Sequence, residues 1–458
     1  MGAPAWNPER VRSLAEQGHE LYGLWGRSMA WDQGPYPVLD GVVRPVDVAA
    51  LPRTLAEHPP DVVYGLFQVY DEALWAPPSP GIEDGVWALL RGVLAARAAG
   101  AFDAPVTFHW GFDVHRLDLG VVQVLDAQVY CNREVLQWWT GDPADGGRGL
   151  DVLRGTPVVG FLDGDRPMAQ FMGDDLSKPL SDRTREVHTA CIGRPLGIDY
   201  VAAARAGIHL HVYGNAFDDV EQLLLRDVGV GALSRDIRLV RDFVHLHPTR
   251  QLIREPWAVV EREKAAWVRE FSRYDAGWSY IGRPFDWPPL EDRAAIPNRL
   301  GTYVLAGLPV IASRLPGTFR YDELTRLGIA LDLVGDDYVG LRERLDAERS
   351  TRAARQAALA ARPGYSFEAT ITPLLELFEQ ARAAYFAGPD PARRRVPKEP
   401  ATPLVRVSGG GTDGPPNGRG GATAAAFARR VAAFARRAPR RKVLERRLGS
   451  LRPDRARP

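Results

Sequence analysis

The sequence predicts an α/β protein: two doubly wound, Rossmann-like domains in series, followed by a basic tail. Three observations predict it. Short β-rich runs alternate with helical segments through two long stretches, the pattern of parallel sheets wrapped by helices. A region rich in Gly, Pro and Asp, 141–179, holds no lasting period and separates those stretches. Beyond Gly388 the composition turns to Pro, Gly and Arg, as in a disordered segment. The first domain is therefore placed at 1–175, the second at 176–387 and the tail at 388–458.

In the first domain a helix near 11–17 leads through Gly18-His19 into a strand at 20–25 (ELYGLW). Further β-rich runs lie at 61–67, 105–109 and 127–131, with helical segments such as 86–99 between them. In the second domain, strands are expected at 187–192 (VHTACI), 208–213 (IHLHVY), 242–247 (DFVHLH), 277–281, 308–312 and 328–333. Helices are expected at 199–206 and 256–271, and Ala-, Arg- and Leu-rich helices continue to Ala387.

The stretch 296–313 (IPNRLGTYVLAGLPVIAS) shows how sharply the elements are punctuated. Pro297 suits a first helical turn, where its missing N–H has no intrahelical partner. Leu300, Tyr303 and Val304 recur at three- and four-residue spacing and make one buried stripe. Gly307 supplies the left-handed residue that ends a helix. The apolar run after it reads as a parallel strand covered on both faces.

Composition excludes several classes. The chain has 458 residues, with 9% aromatic and 25% charged, the balance of an ordinary globular protein. Its two cysteines, Cys131 and Cys191, are far apart, and no His cluster shows metal-ligand spacing. A disulfide framework and a structural zinc are thus not expected, and a reducing cytoplasm fits. No apolar run reaches the roughly 20 residues of a membrane-spanning helix, and the start of the chain has no apolar signal region. The net charge of +1 hides a split: from Asp390 onward there are 18 Lys/Arg and 5 Asp/Glu, so the tail carries +13 and the body −12. Within the tail, Phe427, Val431 and Phe434 fall on one face of a helix at 422–437, with Arg429, Arg430, Arg436 and Arg437 on other faces. Such a basic amphipathic helix suits the anionic inner face of a membrane, with a disordered solubilising tail as the plainer reading. Nucleic acid is disfavoured by the acidic body.

A series of short motifs carries a resemblance. Cys-Ile-Gly-Arg (191–194) looks like a strand-to-loop "G-R" turn, and Gly-Ile-His-Leu-His-Val-Tyr-Gly (207–214) like a second strand with a "Y-G" end. Ser-Arg-Tyr-Asp-Ala-Gly-Trp (272–278) resembles a "yDvg" lead-in, and 296–313 resembles a "P-x-K-x-x-E-Y-x-A-x-G-x-P-V-I" segment. In this order they resemble the donor domain of GT-B glycosyltransferases of the family 4 and family 1-like kind. Residues 12–21 resemble that family's "L-x-x-x-G-H-E-V" helix and second strand. The usual first strand and glycine-rich loop have no match, so a late start or a reduced acceptor domain is expected.

The resemblance implies a nucleotide-sugar donor in the second domain, a glycan or lipid-linked acceptor in the first, and no metal or other cofactor. It points the helix near Pro297 at the donor's nucleotide, with Asn298 and Thr302 on its polar side. The family's two glutamates would fall at Ala294 and Thr302, and both are absent. Arg194 is the leading candidate for the departing diphosphate, beside Gly193. Arg299 and Arg250 are more readily read as solvated arginines, with phosphate binding as a second role. Gly214 and Asn215 suit close backbone approach to the donor, or a plain turn. His245 and His247 are expected near the nucleotide base or as structural histidines; they share a strand face as metal ligands would, but no third ligand is evident. In Phe-His-Trp-Gly-Phe-Asp-Val-His-Arg (108–116), His109, Asp113 or His115 can bind acceptor or serve as base. Eight of the twelve tryptophans lie at or before Trp139, where core packing explains most and sugar stacking is the alternative.

The expectation is a cytoplasmic glycosyltransferase, with peripheral attachment to the inner face of the membrane through the tail. A non-catalytic scaffold of the same fold and a sugar-nucleotide epimerase are the alternatives.

Overall fold

A computed structural model of the chain describes residues 8–23, 36–46, 50–67, 86–110, 116–118, 125–130, 133–142, 158–160, 166–193, 195, 197–214, 233–249, 252, 255–282, 299–387 and 406–408. By internal contacts the chain divides into Met1–Gly409 and Gly410–Pro458, and every described residue belongs to the first.

The chain begins with helix α1 (Pro8–Glu16) and strand β1 (Leu21–Gly23), which pairs in parallel with β2 (Val43–Pro45). Helix α2 (Leu51–Glu57) precedes β3 (Val63–Phe67) and α3 (Val86–Ala98). From β3 a parallel sheet grows outward through β4 (Val106–Trp110), β6 (Ala127–Tyr130) and β7 (Val158–Gly160), with α4 (Arg133–Thr140) in the last crossover. The end of α3 is tied to the strand starts. Buried Arg97 donates to the Ala104 carbonyl (3.2 Å) and pairs with Asp126, whose carboxylate also accepts from the Val106 N–H (2.8 Å). The short β5 (Arg116–Asp118) lies outside this sheet.

The second sheet begins after α5 (Ser181–Thr184). Six parallel strands follow: β8 (Val187–Ile192), β9 (Ile208–Tyr213), β10 (Val244–His247), β11 (Ala276–Trp278), β12 (Val310–Ser313) and β13 (Ala330–Leu333). Their spatial order is β10-β9-β8-β11-β12-β13. Counted within this domain the order is 3-2-1-4-5-6, the doubly wound arrangement. Every residue of β9 is buried, as a parallel strand with both faces covered requires.

Side chains alternate between the two faces. On one, Val187, Cys191, Ile208, Leu210 and Val212 pack with Tyr200 and Ala203 of α6 (Tyr200–Arg205), Val240 of α7 (Leu233–Phe243) and Leu341. On the other, Ala190 and Tyr213 pack with Phe271 of α8 (Trp257–Ser272) and with Leu300, Tyr303 and Val304 of α9 (Arg299–Leu305). The stripe read from the sequence is thus the one that is buried. Gly307 ends α9 at φ +67, and a Cβ there would sit 2.5 Å from Leu359, so both backbone and packing demand glycine. Helices α10 (Phe319–Arg326), α11 (Tyr338–Asp346) and α12 (Glu348–Ala361) complete the layers.

The chain then returns to the first sheet. Phe367 of α13 (Phe367–Thr370), Ile371, and Leu374, Leu377 and Ala381 of α14 (Thr372–Phe386) pack against Leu14, Ala127 and Val129. Burial of such leucines stabilises by about 1.5–3 kcal/mol each. Residues 367–386 follow the second domain in sequence, but they cover the first sheet. Within the segment read as tail, β14 (Arg406–Ser408) pairs antiparallel with β5. Helix 422–437 lies outside the described residues. Among the described residues no helix is long and apolar enough to cross a membrane.

Candidate functional site

In a doubly wound sheet, successive connections leave in opposite directions where the strand order reverses, and a crevice opens at the carboxyl ends of the two central strands. Here those strands are β8 and β11. After β8 the backbone turns at Gly193 (φ +77), whose N–H donates to the Tyr213 carbonyl (2.7 Å). After β9, the Gly214 N–H donates to the His247 carbonyl (3.1 Å), and a Cβ at 214 would lie 3.6 Å from the Gly193 carbonyl oxygen. Two bare backbone turns therefore meet at the strand ends. After β11, the Ser279 N–H continues the ladder to the Ile311 carbonyl (2.9 Å). The Ser279 hydroxyl is buried there without a hydrogen-bond partner.

Arg299, the first residue of α9, reaches into this crevice and is only 7% exposed. It donates to Cys191 Sγ (3.0 Å) and to the Trp278 carbonyl (3.4 Å), and its guanidinium lies over the Tyr280 ring, 4.8 Å from the centroid. Nη2 is 3.9 Å from where a side chain on Gly193 would begin. Burial alone would lower the guanidinium pKa, but Cys191, Tyr280 and Tyr303 together raise it, so the charge is kept. Burial pushes the Cys191 thiol up, against the pull of Arg299. The expectation that Arg299 is solvated is corrected: side chains at the ends of β8 and β11 close over it.

Tyr303, one turn along α9, fastens the same two strands. Its fully buried hydroxyl accepts from the Ile192 N–H (3.2 Å) and lies within donating distance of the Trp278 (2.9 Å) and Ala190 (3.2 Å) carbonyls. Gly277 makes room for the ring, since a Cβ there would lie 2.6 Å from it. The whole of α9 from Arg299 to Leu305 is buried, so the polar side expected for it is absent over these residues; Thr302 is 8% exposed. At the helix after β8, Asp199 accepts from the Val201 (3.0 Å) and Ala202 (2.9 Å) N–H groups. A carboxylate thus already occupies that helix start.

Gly193, Gly214, Arg299 and Thr302 are the expected donor-site residues that the structure describes at these strand ends and on α9. Arg194, Asn215, Arg250, Ala294, Pro297 and Asn298 lie outside the described residues, as do Asp113 and His115. His109 is on β4, and only its backbone is described.

His245 and His247 stand elsewhere. β10 is the edge strand, two strands from the reversal. Both histidines belong to an array of five that share one sheet face: His188 on β8, His209 and His211 on β9, and His245 and His247 on β10. Ring nitrogens link them across strands: His188 Nδ1 to His211 Nε2 (3.1 Å), His211 Nδ1 to His247 Nε2 (2.9 Å) and His209 Nδ1 to His245 Nε2 (3.0 Å). The rings stack, with centroids 4.6 Å apart for His188 and His209 and 4.5 Å for His211 and His245. Burial lowers all five pKa values, to about 4 for His188 and about 2 for His211. Neutral imidazoles each offer one donor and one acceptor, which is what such a relay needs. Sequence reading missed His188, His209 and His211. The period-2 histidines of IHLHVY and VHLH were the available signal.

No protein-family model and no curated protein matches the chain. Solved structures do resemble it. A glycosyltransferase from Rickettsia africae ESF-5 has a TM-score of 0.49 at 10% identity, over 82% of this chain and 94% of that one. The Anabaena protein HepE in complex with UDP has 0.47 at 11%, over 83% and 98%. Sucrose-phosphate synthase from Thermosynechococcus elongatus has 0.46 at 14%, over 82% and 92%. The site above stands on this chain's own residues. By its own strand order the second sheet is doubly wound, and with the parallel sheet that precedes it the chain is an α/β protein of two parallel sheets in series.

Proposed function

We propose that the chain is a glycosyltransferase that moves a sugar from a nucleotide-sugar donor to an acceptor hydroxyl. One observation carries the reading: a charged, buried arginine lies beside a bare glycine turn where the strand order reverses. A departing diphosphate needs cations and free N–H groups held in place before reaction. Arg299 offers the first and Arg194 follows Gly193 directly; the Gly193 and Gly214 N–H groups are taken by the Tyr213 and His247 carbonyls, so these bare turns offer room for close approach rather than donors. With Asp199 filling the start of α6, the start of α9 near Pro297 and Asn298 is the helix end assigned to phosphate. The reading calls on these cations rather than a metal for the leaving group. Asn215 and Thr302 are assigned to the nucleoside side.

In the first domain His109 or Asp113 is assigned as acceptor-side base. The acceptor class proposed is a glycan or lipid-linked precursor, met at an anionic membrane surface through the basic tail. Deleting residues 410–458, which leaves β14 paired with β5, should then abolish binding to anionic vesicles and spare turnover of a soluble acceptor. Vesicle binding that survives the deletion removes the anchor.

A second reading, a nucleotide-binding protein without transfer, is favoured by Thr302. A nearly buried hydroxyl replaces the carboxylate that would grip the ribose. The two separate by incubating the purified chain with nucleotide sugars and following release of the nucleoside diphosphate. Slow release supports transfer, and binding without release supports the second reading.

A further inference from the structure

We propose that the chain binds one divalent ion of the zinc class through His188 Nε2, His209 Nε2 and the Glu186 carboxylate, at the amino-terminal ends of β8 and β9. The three ligand atoms lie within 4.8 Å of one another. His209 Nε2 is buried and lies 3.2 Å from Glu186 Oε2, its one polar neighbour among the contacts described. Two ligands about 2.0–2.1 Å from a tetrahedral zinc stand ~3.3 Å apart, so this pair is already at ligand spacing. His188 and His209 are 7% and 8% exposed.

The surroundings fit the same role. A metal-bound imidazole uses its second nitrogen to donate to an outer partner, which fixes the tautomer. His188 Nδ1 faces His211 Nε2, and His209 Nδ1 faces His245 Nε2, so both Nδ1–H groups have acceptors and both Nε2 lone pairs point away from the array, that of His188 toward Thr184. Thr184 Oγ1 now lies 3.0 Å from His188 Nε2 and accepts from the Glu186 N–H (3.2 Å). An ion would take that hydroxyl's place at the ring. Glu186 is 57% exposed, which leaves the fourth coordination position to solvent. Two imidazoles and one carboxylate favour zinc, cobalt or nickel over magnesium and calcium.

The site is separate from the proposed donor site. From His188 to Gly193 along β8 is about 16 Å at the ~3.3 Å rise of a parallel strand. The ion would clamp the turn at 184–186 to the starts of two neighbouring strands and take no part in sugar transfer. It differs from the expectation that the chain holds no metal, because the ligands come together only through strand pairing.

The test uses the full-length chain without a polyhistidine tag, stripped with EDTA and titrated with Zn²⁺ against a chromophoric chelator. One equivalent should bind, and Co²⁺ in its place should give the intense visible absorption of a four-coordinate site. Glu186→Gln should weaken binding about tenfold or more, and His209→Gln should abolish it. A His58→Gln control should bind as the parent does. Failure to hold Zn²⁺ overturns the proposal, as does equal binding by parent and Glu186→Gln, or loss in the His58 control. Glu186 is exposed, so its variant decides the matter even where His209→Gln fails to fold. Nucleotide binding is measured separately, so failure here leaves the donor-site reading intact.

Discussion

Tyr303→Phe removes one oxygen from the centre of the second sheet, and the structure says what that oxygen does. β11 pairs with β8 only at Ala276↔Thr189 and Gly277↔Ala190, so the ladder ends before Ile192. The Tyr303 hydroxyl continues it, taking the Ile192 N–H at 3.2 Å and facing the Trp278 carbonyl at 2.9 Å. Phenylalanine keeps the ring in its slot against Gly277, so no cavity opens beyond the lost hydroxyl. The cost is that of orphaning a backbone donor, about 1–3 kcal/mol. At about 2–4 °C per kcal/mol for a domain of this size, the second domain should melt roughly 2–12 °C lower. Differential scanning calorimetry reads the shift, and amide exchange should speed up at Ile192 ahead of its neighbours in β8. An unchanged melting temperature with unchanged exchange at Ile192 would refute the bridging role.

Gly277→Ala drives a methyl into the Tyr303 ring, which its tethered hydroxyl keeps from swinging away. The loss should be about 1–3 kcal/mol, and smaller in a Tyr303→Leu background; parent-like melting of the single variant contradicts the packing. The histidine array makes the EDTA-treated chain acid-sensitive. Desolvation lowers the folded-state pKa values below the unfolded value near 6.5; His209 and His245 add to this at His188, and His245, His247 and His188 at His211. Arg273 acts in the same direction on both, and Glu186 opposes it at His188. The unfolded chain therefore binds more protons, and stability present above pH ~6.5 is lost progressively as pH falls toward about 4. Melting temperatures between pH 7 and pH 5 check this, and a flat profile across that range would contradict it. Arg194→Ala should weaken nucleoside diphosphate binding by about 1.5–3 kcal/mol, roughly 10- to 150-fold, read by calorimetric titration.

Local chemistry made much of the second sheet legible. The strands at 187–192 and 208–213 coincide with β8 and β9, because an apolar run bounded by loops leaves little choice of ends. The strand expected at 242–247 starts two residues late: Asp242 and Phe243 finish α7 instead. Continuous helix hydrogen bonding overrode the β-preference of Phe243 there. Arg299 was misread because an arginine in a first helical turn ordinarily faces water. Its burial depends on Cys191, Trp278 and Tyr280 arriving from other strands. The metal ligands were illegible for the same reason. His188 and His209 become neighbours only once β8 and β9 pair in register, and no spacing along the chain encodes that. The return of α14 to the first sheet is likewise a long-range fact, carried by Leu374 and Leu377 finding Ala127 and Val129.

The site's chemistry follows from this architecture. The strand-order reversal supplies an opening, glycines at 193 and 214 strip side chains from two of its edges, and α9 carries a cation into it. Tyr303 and Gly277 fix the depth at which that cation sits. His188 and His209 sit at the starts of β8 and β9, at the opposite ends of these strands from Gly193 and Gly214, so the proposed ion and donor sites can be perturbed independently.

The most direct measurement is a thermal-shift panel of UDP, GDP, ADP, TDP and their sugars on the purified full-length chain, repeated on Arg299→Met and Arg194→Ala. A ligand at a hundred times its dissociation constant stabilises by about 2.7 kcal/mol. A clear rise with one base, lost or much reduced in both arginine variants, is the predicted result. No rise with any nucleotide, or a rise undiminished in both variants, would contradict a diphosphate site at the ends of β8 and β11.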